Sequence, residues 1–188
     1  MNETEELIRQ SAIKYFLRFG FKKSSVDEIA EDAGVGKGTV YNYFKNKQDL
    51  FTKTSIGWRE QQFNEIEREI EQIERADLKI LARVRLEILS FRKAYIEYGM
   101  TEKILRELIE VKQSIDELRE LDVEMFAHYL KLGFEQGVFS KQSFKERARL
   151  LNTTMFQFAE RWITELDEVD AINELNELIS LMLNAMKR

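Results

Sequence analysis

The 188-residue chain has no cysteine, no proline, one histidine and eight glycines. Without cysteine there is no disulfide scaffold, no thiolate metal site and no thiol nucleophile. A lone His128 excludes any histidine-cluster metal site and leaves a Ser-His-Asp triad to depend on that one residue. No cofactor is implied. At ordinary usage about nine prolines are expected; loops and sheet edges use them freely, whereas helix interiors cannot. Long apolar runs are missing too. The longest charge-free stretch is Leu150 to Ala159, against the roughly 20 apolar residues of a membrane span. The beginning, MNETEELIRQ, is acidic and lacks the basic-then-apolar pattern of a signal peptide. These absences lead us to expect a cytoplasmic protein with no membrane partner.

What is present reads as helix. The chain is 44% apolar and 34% charged, a globular composition rich in Leu, Glu, Lys, Ile and Arg. No period-2 strand pattern bounded by turn residues is evident. Charge is uneven. Residues 1–53 hold nine basic and eight acidic side chains, while the remainder is strongly acidic and brings the total to −5. The less acidic front suits contact with a polyanion. Half of the glycines, Gly20, Gly34, Gly36 and Gly38, fall in the first 40 residues.

Apolar residues at Ile8, Ala12, Tyr15, Phe16 and Phe19 form a 3.6-period stripe that Gly20 ends. Ser25, three before Glu28, reads as a capping box opening a short helix with Val26, Ile29, Ala30 and Ala33 on one face. Gly34 ends that helix, and a turn at Val35 to Gly38 leads to a second short helix, residues 39–44, with Val40 and Phe44 inward and Lys37, Thr39, Asn42 and Tyr43 outward. Asn46 caps a long helix expected to run through Ile66, Ile70 and Ile73 to residue 74. Helix, tight turn, helix, with a longer helix on each side, is a helix-turn-helix. A cation, a hydroxyl, an amide and a phenol on one face can contact phosphates and base edges. Five further helices are expected: 77–98, 101–111, 114–136, 143–166 with a Ser143/Glu146 capping box, and 168–186. The fold class expected is all-α, about nine helices. An N-terminal three-helix helix-turn-helix domain (residues 1–48) precedes a larger C-terminal helical bundle (residues 49–188) for ligand binding and dimerisation.

The segment FGFKKSSVDEIAEDAGVGKGTVYNYFKNKQDLF, residues 19–51, resembles the DNA-binding domain of TetR-family transcriptional regulators. The resemblance rests on Phe19-Gly20-Phe21, Ser25-Val26, Ile29-Ala30, Ala33-Gly34-Val35, Lys37-Gly38-Thr39, Tyr41, Tyr43-Phe44 and Lys47 through Leu50-Phe51. It departs at Gly36, where the family usually carries a Ser or Thr cap. The resemblance implies a homodimer on a double-stranded DNA operator. It places Lys37, Thr39, Tyr41, Asn42 and Tyr43 at the DNA, with Ser25 and Lys47 at phosphates. Gly38 would let the backbone approach closely. Tyr41 is open between contact and core.

Other readings are weaker. Gly36-Lys37-Gly38-Thr39 looks like part of a phosphate-binding loop, but the required first glycine is Glu31 and no strand precedes it. Asn152-Thr153-Thr154 is a glycosylation sequon inside an expected helix. A helical enzyme lacks any nucleophile-base pair. An interaction adaptor has no need of a glycine-turned helix pair with polar groups projecting. The expected function is a ligand-responsive, sequence-specific DNA-binding regulator, a repressor released from a palindromic operator by a small apolar or amphipathic effector. Phe91, Tyr95, Met100, Phe126, Tyr129, Met155, Phe158 and Trp162 are the candidate effector contacts, with Arg92 and Arg161 as candidate cations for an acidic headgroup. Two adjacent apolar seams on the last helix, Ile172-Leu175-Ile179-Met182-Met186 and Ala171-Leu178-Leu181-Ala185, would serve one the subunit's own core and the other a dimer partner.

Overall fold

A computed structural model describes residues 2–113 and 116–187; the helix start expected at Ser114 lies outside them. Among the described residues are nine α-helices and no strand: α1 Glu3–Lys23, α2 Val26–Asp32, α3 Lys37–Tyr43, α4 Lys47–Glu69, α5 Ala76–Glu97, α6 Glu102–Gln113, α7 Asp116–Glu135, α8 Phe144–Thr164 and α9 Glu168–Asn184. The all-α reading holds.

Most boundaries follow local chemistry. Asn2 accepts the Thr4 N–H at the start of α1, whose first turn carries Glu3, Glu5 and Glu6 at the positive end of the helix dipole. The chain leaves helical geometry at Gly20, φ 80°. Ser25 Oγ accepts the Asp27 N–H at α2. Asn46 Oδ1 accepts the Asp49 N–H at 2.8 Å, and Asp49 Oδ2 in turn accepts the Lys45 N–H at 2.8 Å. Asp167 caps α9 through the Asp170 N–H. Three expectations need correction. Ser25 caps α2 through the Asp27 N–H and not through a box with Glu28. Ser143 occupies the cap position of α8 but makes no side-chain capping bond, so the Ser143/Glu146 box does not form. Helix α4 ends at Glu69 and not at residue 74; a turn follows, through which Ile70 still buries its side chain. The apolar stripe continues across the break, so its period does not reveal it.

The chain divides into two compact units, Met1–Gln61 with Ala94–Leu118, and Gln62–Lys93 with Arg119–Arg188. Residues 1–48 all fall in the first unit. That unit extends further because Ala94 and Met100 bury against Leu17, with Tyr95, Tyr98 and Ile104 around them. Its main core is Ile8, Ala12 and Phe16 of α1, Ile29 and Ala30 of α2, Val40 and Phe44 from α3 and its end, and Leu50 and Phe51 of α4. Phe51 packs edge-on to Phe16 and Phe21, with ring centroids 5.0 and 5.2 Å apart.

The second unit is built from the end of α4, most of α5, and α7 to α9 around Ile80, Val84, Phe126, Leu130, Leu151, Trp162, Leu175 and Ile179. On α9 the first seam is largely inside, with Ile172, Leu175, Ile179 and Met186 buried. Of the second seam Ala171 is also buried, whereas Leu181 is 69% exposed and Ala185 is open.

Asp77, in the first turn of α5, is buried and bonded to Arg75 Nη2 at 2.7 Å and Lys187 Nζ at 3.2 Å. Burial opposes its charge, but these two cations outweigh burial and hold its pKa below the ordinary carboxylate value. A depressed folded-state pKa means stability that is present above the unfolded value, about 3.9, and lost as pH falls through the folded value. Asp77→Asn is therefore expected to lower unfolding free energy by about 1–3 kcal/mol at neutral pH. Urea titrations from pH 7 downward should show the deficit shrinking as pH falls below the ordinary carboxylate value.

Candidate nucleic-acid interface

Helix α3 has seven residues, too few to hold a helix in water by itself. Val40 and Phe44, 0% and 1% exposed, pin it to α1 and α2. Burying each stabilises by about 1.5–3 kcal/mol. The turn before it reverses the chain at Gly34, φ 69°, in the left-handed region that glycine enters at no steric cost. Val35 N–H then bonds back to Ala30 C=O at 2.9 Å, closing α2. Gly36 starts α3 without a side-chain cap, as its departure from the family pattern implied.

With Val40 and Phe44 inward, the rest of α3 faces out. Lys37, Gly38, Tyr41 and Asn42 are exposed, and Thr39 and Tyr43 are half-buried. Tyr41, 44% exposed, is therefore a surface side chain and not core. An added Cβ at Gly38 meets nothing within 4 Å. Nothing inside the protein requires glycine there, although glycine weakens a helix by about 0.5–1 kcal/mol relative to alanine. A missing side chain on an open recognition face matters to something that approaches from outside.

Tyr43 is positioned by a residue the sequence did not flag: Asn2 Nδ2 donates to its hydroxyl at 2.8 Å. That bond uses the oxygen as acceptor and leaves the hydroxyl hydrogen to donate. Ser25 has the same duality, accepting from Asp27 N–H at 3.2 Å with its own hydrogen available. Lys37 Nζ rests on Asp27 at 2.8 Å, a surface pair with little net hold on either partner, so a phosphate can take the place of Asp27.

Lys47, at the start of α4, lies over the Phe21 ring, 4.8 Å from its centroid, and donates to Lys22 C=O at 3.2 Å. Burial pulls its ammonium pKa below the ordinary value, with Glu107 acting against this. The cation has already lost part of its hydration, which lowers the desolvation penalty for pairing with a phosphate. Glu107 of α6 was not legible in the sequence. Its carboxylate accepts the Lys22 N–H at 2.6 Å. Two other acidic groups of this unit carry their own cations, Asp32 with Lys14 at 2.6 Å and Asp49 with Lys53 at 3.1 Å. The hydrogen bond from Lys14 holds the Asp32 pKa below its ordinary value.

The effector candidates are divided between the two units. Tyr95 and Met100 belong to the first unit. Phe126, Tyr129, Met155 and Trp162 lie in the core of the second, with Phe158 stacked on Trp162 at 5.5 Å between centroids. Phe91 is half-buried in the same unit. Neither candidate cation is disposed for a ligand. Arg92 donates to the carbonyls of Trp162, Ile163 and Leu166 at the end of α8, and Arg161 pairs with Glu165 and Glu174. Among the described residues the buried cation is Arg83, which periodicity could have exposed as a charge one turn from Ile80 on an apolar face. His128 is exposed.

A glycine-turned helix pair presenting this face is the helix-turn-helix of DNA-binding regulators. Residues 8–54 match the bacterial regulatory proteins of the tetR family. The chain is 30% identical to YhgD of Bacillus subtilis (strain 168), an uncharacterized HTH-type transcriptional regulator, over 142 residues, 72% of this chain and 70% of YhgD. It is 25% identical to the fatty acid metabolism regulator protein of the same organism over 187 residues, covering 95% of this chain and 93% of that one. The crystal structure of FadR from Bacillus subtilis in complex with stearoyl-CoA superposes with a TM-score of 0.73 at 23% identity, over 93% of this chain and 96% of FadR. The chain belongs to the TetR family of bacterial transcriptional regulators, proteins that bind DNA and are not enzymes.

Two substitutions separate fold from recognition. Gly38→Ala is expected to leave thermal stability unchanged or raised by up to about 1 kcal/mol while weakening DNA binding in gel-shift titrations. Lys47→Ala is expected to weaken binding about equally on all sequences, since phosphate contacts carry no sequence information. It should also flatten the dependence of log affinity on log salt by about one unit per subunit; an unchanged slope removes Lys47 from the phosphate contacts.

Proposed function

We propose that this regulator is a repressor that binds a palindromic double-stranded operator as a homodimer and is released by a small apolar or amphipathic effector. In this reading residues 1–48 carry DNA binding and residues 49–188 carry effector binding and dimerisation, all in the cytoplasm. The observation that carries it is the outward face of α3, with Lys37, Gly38, Thr39, Tyr41, Asn42 and Tyr43 on one short helix and Ser25 and Lys47 on its flanks. Thr39 and Asn42 read base edges, and Ser25, Lys37, Tyr43 and Lys47 hold phosphates. Half-sites are read in successive major grooves about 34–36 Å apart or multiples of that, so two recognition helices must keep a fixed spacing.

Dimerisation is assigned to α8 and α9. Leu150 and Leu181, 53% and 69% exposed, are large apolar side chains left open on these two helices, and the partly open second seam of α9 suits a two-fold bundle. The effector is assigned to the second unit, where Phe126, Tyr129, Met155, Phe158 and Trp162 supply an adaptable apolar interior. Stearoyl-CoA on FadR is an amphiphile of the kind this interior favours. Helix α4 starts beside the recognition helix and ends at Glu69, so effector occupancy can bias it. A coupling of about 1–3 kcal/mol releases an operator held just above background.

Selection of bound duplexes from a random pool is expected to yield an inverted repeat. Thr39→Ala or Asn42→Ala should relax preference at particular base pairs by about 1–3 kcal/mol. Leu181→Glu is expected to give a monomer by sedimentation velocity and to abolish operator binding at concentrations where the wild type is saturated. A selected site without two-fold symmetry, or a wild-type mass that stays monomeric at high concentration, sinks the reading.

A further inference from the structure

Among the described residues of the second unit, Arg83 of α5 is a cation enclosed in the apolar interior, 1% exposed. Its Nη1 donates to Glu67 Oε1 of α4 at 2.8 Å, and the Tyr129 hydroxyl of α7 donates to the same oxygen. Its guanidinium lies over the Phe63 ring, 4.5 Å from the centroid. Its Nε–H meets no acceptor. Apolar residues flank each member of this group: Ile66 and Ile70 beside Glu67, Ile80 and Val84 beside Arg83, Phe126 and Leu130 beside Tyr129.

A buried guanidinium with an unmet N–H is an uncommon arrangement, because the fork of an arginine is shaped for two acceptor oxygens at once. Glu67 presents one oxygen to Arg83 and Tyr129 together, and its side chain is 31% exposed, so it can turn outward to water. Phe63, which covers the guanidinium, is 38% exposed and marks the side from which a ligand reaches it. Glu87, one turn along α5, and Asp122, two turns back along α7, are also buried and engaged in interactions of their own. Arg83 already carries one anion in Glu67, and a second beside it would leave a net negative charge enclosed, so an incoming anion must take the place of Glu67. After the exchange one negative charge still faces Arg83, Tyr129 still has an acceptor, and the orphaned Nε–H gains one.

We propose that Arg83 is the anchor for the anionic headgroup, a carboxylate or a phosphate, of the amphipathic effector, taken up in exchange for Glu67, with the alkyl body lodged in the apolar interior of the second unit. The proposal rests on the effector reading above. It makes the headgroup charge a specificity determinant and makes release of Glu67, in the last turn of α4, the event that reports occupancy.

The test is calorimetric titration of the full chain with tetradecanoate, tetradecyl phosphate, tetradecanol and tetradecyltrimethylammonium, each below its micelle concentration. The wild type is expected to bind one or both anions at least about tenfold more tightly than the alcohol, the scale of one hydrogen bond to a charged group. The preferred anion distinguishes a free acid from a phosphorylated ligand. Arg83→Met is expected to bring the anions down to the affinity of the alcohol without changing the alcohol's own affinity. Glu67→Gln retains Arg83, and it is expected to tighten anion binding several-fold with tetradecanol unaffected; it decides the question should Arg83→Met fail to fold. Equal binding of alcohol and anions by the wild type, tighter binding of the ammonium, no anion binding at all, or weaker anion binding by Glu67→Gln overturns the proposal. Operator affinity of the unliganded wild type is measured separately. Its absence counts against the regulator reading, whereas normal operator binding with charge-blind probe binding overturns only the role of Arg83.

Discussion

The function of the molecule depends on two side chains that never touch a ligand. Helix α3 is too short to exist without outside support, and Val40 and Phe44 provide it by inserting between α1 and α2. Because both are fully enclosed, the helix has one rotational setting. Every polar group on its other face then points outward without further specification. Phe44 in turn carries Arg9 and Lys53 against its ring, with the cations 5.4 and 5.5 Å from the centroid. The same aromatic thus packs the short helix and helps place two cations from α1 and α4. The recognition surface is a by-product of core packing, which is why polar substitutions on it can alter binding with little effect on stability.

That division explains what the sequence disclosed. The helix-turn-helix was legible because its signals are local: Ser25 at a helix start, glycines at the turn, apolar residues three and four apart, and Asn46 followed by Asp49. Each needs only a few neighbouring residues to form. The break after Glu69 was hidden because Ile66, Ile70 and Ile73 keep the helical period while the backbone turns. Ser143 had the right residue type for a cap, but residue type alone does not aim the side chain. Contacts between distant segments were out of reach. Nothing in the sequence links Asn2 to Tyr43 or Glu107 to the amide of Lys22, since both pairings depend on how α1 and α6 are packed.

The effector-site candidates show a second limit. Aromatic and methionine content identified the buried surface of α5, α7 and α8 but not its partition. Tyr95 and Met100 finish the core of one unit while Phe126, Met155 and Trp162 fill the other. Adjacency in sequence also misled the choice of cations. Arg92 and Arg161 adjoin aromatics, yet one serves the carbonyls at the end of α8 and the other serves two surface carboxylates. Arg83, flanked by aliphatic residues, is the one that the fold encloses.

The first unit is assembled from two stretches of chain separated by more than thirty residues, with α6 packed on α1 and Ala94 and Met100 closing over Leu17. On a ribosome, α1 to α3 emerge well before the segment that completes their packing. Until Glu107 has left the exit tunnel, the amide of Lys22 lacks the carboxylate that receives it, and before Ala94 and Met100 emerge Leu17 faces water. A chain cut at the end of the helix-turn-helix lacks the partners of Leu17 and of the Lys22 amide. Completion of the first unit's packing in the nascent chain comes late, tied to the synthesis of the end of α5 and of α6.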